Sequence, residues 1–374
     1  MKIWIDGYEA NVSQRLGSSQ VAYELIKHFE KLDKVNDYTI ILPDPPLEDM
    51  PKQREGFRYK ILKPKRLWTK IALPLLLFTS KIKPDIFFSP THYIPRFSPV
   101  INVVTIFDLS FLHFPESFTQ TDLWQLKMGT KYSVDNADHI ITISNFSKKD
   151  ISENYKVDKN NITVAYPGYD KSIFYKRSKE DSVEILKKYN IECPYIIYIG
   201  TIQPRKNLIR LMEAAARIEG LNMIIVGKSS GEGKQGWKYQ ETLDTPKRLG
   251  IEQRVRFLGF VPSEDMPHLI SCSESLIQPS LWEGFGIPVV EAMACGVSVL
   301  VSNVSSLPEV AGKAGLIFDP YSIDQIEQAL RVIISDKKLR LKYSKLGITQ
   351  AKKFSYDKMA RVILKSFNTL RPLS

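Results

Sequence analysis

The densest chemistry in the chain lies in Pro279-Ser-Leu-Trp-Glu-Gly-Phe-Gly-Ile-Pro-Val-Val-Glu-Ala-Met-Ala-Cys-Gly296. An apolar run ends near Pro279, two glycines follow, Pro288 suits a first helical turn, and Gly296 suits a helix stop. Gly284 and Gly286 let backbone N–H groups approach an anion closely, and the positive end of the helix adds to them. Glu283 precedes the loop, and Glu291 falls about one turn inside the helix. A second cluster is Tyr198-Ile-Gly-Thr-Ile-Gln-Pro-Arg-Lys-Asn207. It ends a β-rich run at Gly200 and sets Arg205 and Lys206 in the turn before a helix. Paired cations there can hold a diphosphate and stabilise it as it departs with negative charge. One carboxylate is then placed to face a sugar and the other to reach ribose hydroxyls. Solvated surface acids and bases are the plain alternative for both clusters.

These residues need elements to position them. Short β-rich runs alternate with helical patterns along the whole chain, which implies parallel sheets built from βαβ units. In the first half Lys2–Asp6, Tyr38–Leu42, Asp85–Ser89, Val100–Phe107 and His139–Ser144 read as strands. Ser18–Leu32 has helical spacing, with Val21, Leu25, Ile26 and Phe29 on one face. In the second half Tyr195–Gly200, Met223–Gly227, Val255–Leu258, Ser275–Pro279 and Ser298–Ser302 read as strands. The fold class is α/β, two doubly wound Rossmann-like domains facing a cleft, with ligands at the carboxyl ends of the strands. Turn residues and charge between Tyr166 and Asp181 mark the junction. The expected domains are residues 1–175 and 190–354, with a helix over about 355–374 after them.

A chain of 374 residues exceeds what one core usually organises. The N-terminus reads as a first strand and not as a signal peptide, and the most apolar run, Ile71–Phe78, is too short to span a bilayer. Cys193, Cys272 and Cys295 lack metal or disulfide spacing, suit a reducing cytosol, and are expected to be buried. There is no Asp-x-Asp, Walker loop or H-E-x-x-H, which argues against an NTPase or a zinc protease. No metal and no cofactor are expected, since fixed cations can neutralise a leaving diphosphate.

The Glu-x7-Glu of Glu283 and Glu291, with Gly-x4-Arg-Lys-Asn at 200–207, resembles the family-4 retaining glycosyltransferases of GT-B fold. Leu258-Gly-Phe-Val261 and Leu307-Pro-Glu-Val310 also look like that family's C-terminal domain. The resemblance is specific from about Tyr195 to Pro320. In the first half, Val104-Thr-Ile-Phe-Asp-Leu-Ser-Phe-Leu-His-Phe-Pro-Glu116 looks like the mannosyltransferase-type branch. It implies that Gly200, Arg205 and Lys206 serve the donor diphosphate, that Glu291 meets the ribose, and that Glu283 contacts the transferred sugar. The backbone of Phe285 and Gly286 would meet the phosphate, and Phe260 and Val261 the nucleobase. Gly17, in Arg15-Leu-Gly-Ser-Ser19, matches a glycine loop facing the β-phosphate and acceptor, although the family's fuller form has two glycines there. Many relatives carry a His before the Asp of the Asp-Leu segment, where this chain has Phe107-Asp108. Asp108 or His113 is then the acceptor-side candidate, a packed histidine being the alternative for the latter.

The resulting expectation is retaining, metal-independent transfer of a hexose, with mannose from GDP-mannose favoured, to a saccharide or lipid-linked saccharide. A GT-B-fold nucleotide-sugar epimerase and a non-catalytic nucleotide-sugar-binding partner are the competing readings. Nucleic-acid binding is not expected, because no recognised module interleaves aromatics with bases. The net charge of +11 is uneven: residues 50–83 carry +9 and residues 331–374 carry +10, leaving about −8 elsewhere. The resemblance implies that the C-terminal helix crosses back onto the N-terminal domain, which would set both basic segments on one side of it. They then form an anionic-membrane contact around Lys65-Arg-Leu-Trp-Thr-Lys70, a solvated rim being the alternative. This places the protein in the cytoplasm, with peripheral attachment at the inner face of the membrane.

Overall fold

The computed structural model describes residues 1–228 and 239–370. It divides into two compact units. The first comprises Met1–Leu109, Trp124–Gly168 and the segment from Ser355 onward; the second comprises Ser110–Leu123 and Tyr169–Phe354. The excursion Ser110–Leu123 thus belongs to the second unit although it interrupts the sequence of the first.

In the first unit the strands are β1 (Lys2–Asp6), β2 (Asp37–Leu42), β3 (Phe57–Ile61), β4 (Ile86–Ser89), β5 (Ile101–Thr105), β6 (His139–Thr142) and β7 (Ile162–Val164). They form a parallel sheet in the order β3-β2-β1-β4-β5-β6-β7, with Ile5 paired to both Ile40 and Phe88. The second unit holds β8 (Tyr195–Ile199), β9 (Asn222–Val226), β10 (Val255–Gly259), β11 (Ser275–Gln278), β12 (Val299–Ser302) and β13 (Gly315–Phe318). Their order is β10-β9-β8-β11-β12-β13, again parallel. The central strands are buried on both faces, which is why they read as continuous Ile/Val/Tyr runs. In each sheet the winding reverses once, between β1 and β4 and between β8 and β11. The carboxyl ends at such a reversal are where doubly wound sheets hold ligands.

The alternation of β4 decides which helices cover which face. Phe87 packs with Trp4, Ile41, Trp68, Leu73, Leu76 and Leu77. Its neighbour Phe88 points the other way, 6.1 Å from Phe29 and 5.3 Å from Phe367 by ring centroids. The helix Leu73–Thr79 therefore covers one face, while the helices Ser18–Leu32 and Tyr356–Thr369 cover the other. This corrects the expectation that both basic segments lie on one side of the first unit. The residues from Arg331 to Lys353 belong to the second unit, and Lys358, Arg361 and Lys365 sit on the helix across the sheet from Lys65 and Lys70. A second correction concerns Cys193: it is exposed in the loop before β8, whereas Cys272 and Cys295 are buried.

Candidate active site

The winding reversal of the second sheet gathers the residues singled out by spacing. The loop after β8 carries Gly200 and a single turn of 3-10 helix over Pro204–Lys206, and Asn207 then leads into the helix Leu208–Ala216. The loop after β11 runs from Pro279 to Gly286, and the helix Ile287–Ala294 starts with Pro288 in its first turn, as the spacing predicts. The two loops are tied together: Leu281 N–H donates to the Arg205 carbonyl at 2.8 Å, and the Asn207 amide donates to the Pro279 carbonyl at 3.1 Å.

Glu283 is buried at the centre of this arrangement. Lys206 Nζ donates to its Oε1 at 2.5 Å, Gln278 Nε2 and Ser280 Oγ donate to the same oxygen at 2.8 Å each, and Arg205 lies 3.8 Å from Oε2. Burial alone would raise this carboxyl. The Lys206 and Arg205 charges and the hydrogen bonds outweigh burial and hold it below the usual range, so Glu283 stays ionised. Arg205 also donates to the Trp282 carbonyl at 2.9 Å, yet its Nε is buried without a hydrogen-bond partner among the described residues. A buried guanidinium N–H left unsatisfied is costly, and a ligand oxygen would repair it.

Gly286 is placed at φ 99° directly before the helix, and a Cβ there would come within 2.8 Å of Leu307. Only glycine takes that turn without strain, and it leads directly into the positive N-terminal end of the helix. Ser306 Oγ holds the loop by donating to the carbonyls of Glu283 and Phe285, at 2.9 and 3.1 Å. Phe285 itself is buried, edge-on to Phe354 at 5.3 Å, so its backbone and not its ring is available to a ligand. Glu291 contrasts with Glu283. It is half-buried, no described side chain pairs with it, and desolvation pushes its carboxyl up to about 8. After β10, Phe260 is exposed while Val261 is buried; an aromatic face and an aliphatic floor suit a nucleobase.

In the first unit Gly17 follows β1 at the corresponding reversal, and Asp108 follows β5 next to it. Gly17 precedes the helix Ser18–Leu32 at φ 56°, with open space where a Cβ would be. Asp6, at the end of β1, accepts from Trp68 Nε1 and Tyr8 N–H at 3.0 Å each. Burial pushes its carboxyl up to about 6. Asp108 belongs to the first unit, while His113 belongs to the second and stacks on Trp282 at 4.0 Å. The histidine beside Asp108 is His92, which the sequence reading missed. It sits at φ 44° beyond β4, its N–H donates to the Thr105 carbonyl at the end of β5, and its ring lies 5.5 Å from Phe107. Burial lowers its imidazole below the usual value, with the Asp108 charge pulling the other way. A lone His just past an apolar strand, in Ser89-Pro-Thr-His92, was the available signal.

Two parallel doubly wound sheets, with a cation pair and a glycine-started helix at one reversal, define a GT-B glycosyltransferase. Residues 181–350 match the model of glycosyl transferases group 1, and residues 16–172 match that of glycosyltransferase family 4. O-antigen chain mannosyltransferase B of Escherichia coli is 32% identical over 292 residues, covering 77% of this chain and 75% of that protein. Serotype-specific mannosyltransferase WbdA of the same organism is 26% identical over 63% of this chain; the match spans 29% of that longer protein. Among solved structures, sucrose-phosphate synthase of Thermosynechococcus elongatus has a TM-score of 0.79 at 18% identity, covering 99% of this chain and 98% of the other. Anabaena HepE in complex with UDP and glucose has a TM-score of 0.77 at 19% identity, covering 98% and 99%. The chain belongs to the family-4 glycosyltransferases of GT-B fold, on their mannosyltransferase-type branch. It is an enzyme of hexosyl transfer from a nucleotide sugar.

Proposed function

We infer that the chain transfers mannose from GDP-mannose, with retention of configuration and without a metal ion, to a saccharide or lipid-linked saccharide. The Lys206–Glu283–Arg205 cluster at the β8/β11 reversal carries this reading. Arg205, Lys206 and the N-terminus of Ile287–Ala294 hold the diphosphate and meet the charge that grows as the bond from the sugar C1 to its phosphate oxygen breaks. Two fixed cations and a helix end take the part a divalent ion would otherwise play. Glu283, held ionised, accepts from hydroxyls of the transferred sugar. The acceptor oxygen bonds to C1 on the face the diphosphate leaves, and its proton passes to the departing phosphate oxygen. Glu291 meets the ribose, and Phe260 with Val261 meets the guanine. Gly17, His92 and Asp108 form the acceptor side, His92 supplying the imidazole that Phe107 displaces.

The mannosyl choice rests on the two Escherichia coli mannosyltransferases, and the lipid-linked acceptor on the basic segment 50–83. That segment also supports attachment to an anionic membrane surface in the cytoplasm. Among the described residues no helix is long and apolar enough to cross a membrane. A panel of GDP-, UDP- and ADP-sugars tests the donor. GDP-mannose should give the largest rise in melting temperature and turn over only when acceptor is added. Preference for a UDP-sugar would replace the donor, and conversion of donor without acceptor would favour an epimerase.

A further inference from the structure

The helix Leu73–Thr79 and the turn Trp68–Ala72 leading into it bury Trp68, Leu73, Leu76 and Leu77 against the sheet. The opposite side should then be polar. Instead it presents Leu67, Ile71, Leu75 and Phe78, each about half exposed, at spacings that form one stripe. The nearby loop adds Phe97, 72% exposed. Leu67 and Phe97 both adopt left-handed backbone, φ 58° and 54°, which large side chains rarely take. Hydrogen bonds hold both: the Leu67 carbonyl accepts from Ile71 N–H at 2.8 Å. Arg96 N–H donates to the Thr69 carbonyl at 2.9 Å, and Phe97 N–H donates to Tyr132 Oη at 2.8 Å. Across a shallow groove that also includes Thr69, Lys70 and Arg96, exposed Trp124 and Met128 extend the apolar surface from the helix Gln120–Asn136.

Basic residues predominate around this surface. Among the described residues no carboxylate lines the groove, Lys70 and Arg96 do, and Arg66, Lys81 and Lys83 flank the stripe along the chain. Lys63 and Lys65 are partly engaged by Asp44, at 2.9 and 3.1 Å. A second copy of this face would set like charges against one another. Leu, Phe and Trp flanked by Lys and Arg suit the boundary between lipid headgroups and acyl chains.

We propose that this face docks on an anionic lipid bilayer, with Leu67, Ile71, Leu75, Phe78 and Phe97 entering the headgroup–acyl boundary. Lys70 and Arg96 then take lipid phosphates. This goes beyond charge-driven attachment: insertion survives salt that screens exposed charges. It does not depend on which sugar is transferred.

The test is sedimentation of the full chain with phosphatidylcholine vesicles, with and without phosphatidylglycerol, at low and high salt. Binding should require the anionic lipid, fall with salt, and leave a salt-resistant part. Leu75→Glu with Phe78→Glu should weaken binding about tenfold or more, because two apolar side chains lose their burial. Both positions are exposed, so melting temperature and GDP binding should hold and report intact folding. Tryptophan emission should shift to the blue with anionic vesicles, and Trp124→Phe should remove most of that shift. Binding that salt abolishes fully and the double substitution leaves unchanged would overturn insertion while sparing charge-driven attachment. No sedimentation with either vesicle would overturn both. A dimer in solution that the same substitutions dissolve, without vesicle binding, would assign the face to a second copy.

Discussion

The two winding reversals of this molecule share a topology and differ in how they are built. At β8/β11 the charged groups of the two loops are paired with one another: Glu283 is buried under Lys206, Arg205, Gln278 and Ser280, and the loops are bonded to each other. At β1/β4 the corresponding elements are Gly17 in open space and His92 on a left-handed turn near Asp108. A diphosphate is the same object in every nucleotide sugar, so its site can be rigid and preorganised. An acceptor hydroxyl differs from substrate to substrate, and on the proposed acceptor side an open glycine turn with an imidazole would constrain it less. Stability and ligand chemistry are thus coupled in the second unit and largely separate in the first.

Lys206→Ala should break that contrast most severely. It removes a cation from the departing diphosphate and should cost on the order of 10²–10³ in kcat, with a smaller effect on donor affinity. It also strips the main partner from a buried carboxylate, a change worth about 3–5 kcal/mol of stability. Steady-state kinetics and a melting curve on the same preparation measure both. Unchanged turnover would remove Lys206 from the mechanism.

Alanine at the two glycines sharpens the comparison. Gly286→Ala meets both a forbidden backbone angle and the Leu307 side chain at 2.8 Å, whereas Gly17→Ala meets only the angle. Backbone strain of this kind costs about 1–3 kcal/mol. Gly286→Ala should therefore lower stability and donor affinity more than Gly17→Ala lowers either, as chemical denaturation and GDP titration would report. Equal effects would mean that the Leu307 contact is relieved by movement.

Glu291 should show the smallest and most pH-dependent effect. Its folded-state value of about 8 lies above the ordinary 4.5, so the native state holds the proton more tightly. Its contribution to stability is complete below pH 4.5 and is lost as pH rises through 8. Glu291→Gln should therefore melt above the parent at pH 8, with the gap closing as the pH falls, while donor affinity drops through loss of the ribose contact. A constant gap across that range would mean the carboxyl is not desolvated.

Much of this was legible in the residues. The ends of β1, β2, β8 and β9 fall within a residue of their expected places, because central parallel strands are apolar throughout. The strands left unread, β3, β7 and β13, all lie at sheet edges. Phe57-Arg-Tyr-Lys-Ile61 hides its pairing behind charges, and β7 and β13 span only three and four residues. Glu283, Arg205 and Lys206 were legible as site candidates from local spacing. Their mutual pairing was not, since it spans 77 positions and depends on β8 lying beside β11. The chain position of His113 suggested the first unit, but Ser110–Leu123 packs with the second, and nothing local marks that excursion.

Calorimetric titration of GDP in excess EDTA, on the parent chain and on Arg205→Ala with Lys206→Ala, addresses the donor site most directly. If the β8/β11 reversal holds the diphosphate through its own cations, the parent should bind GDP without metal. The double variant should bind about a hundredfold more weakly or worse, two charge-assisted contacts having been removed. Undiminished binding in the variant, or binding by the parent only when Mg²⁺ is restored, would contradict it.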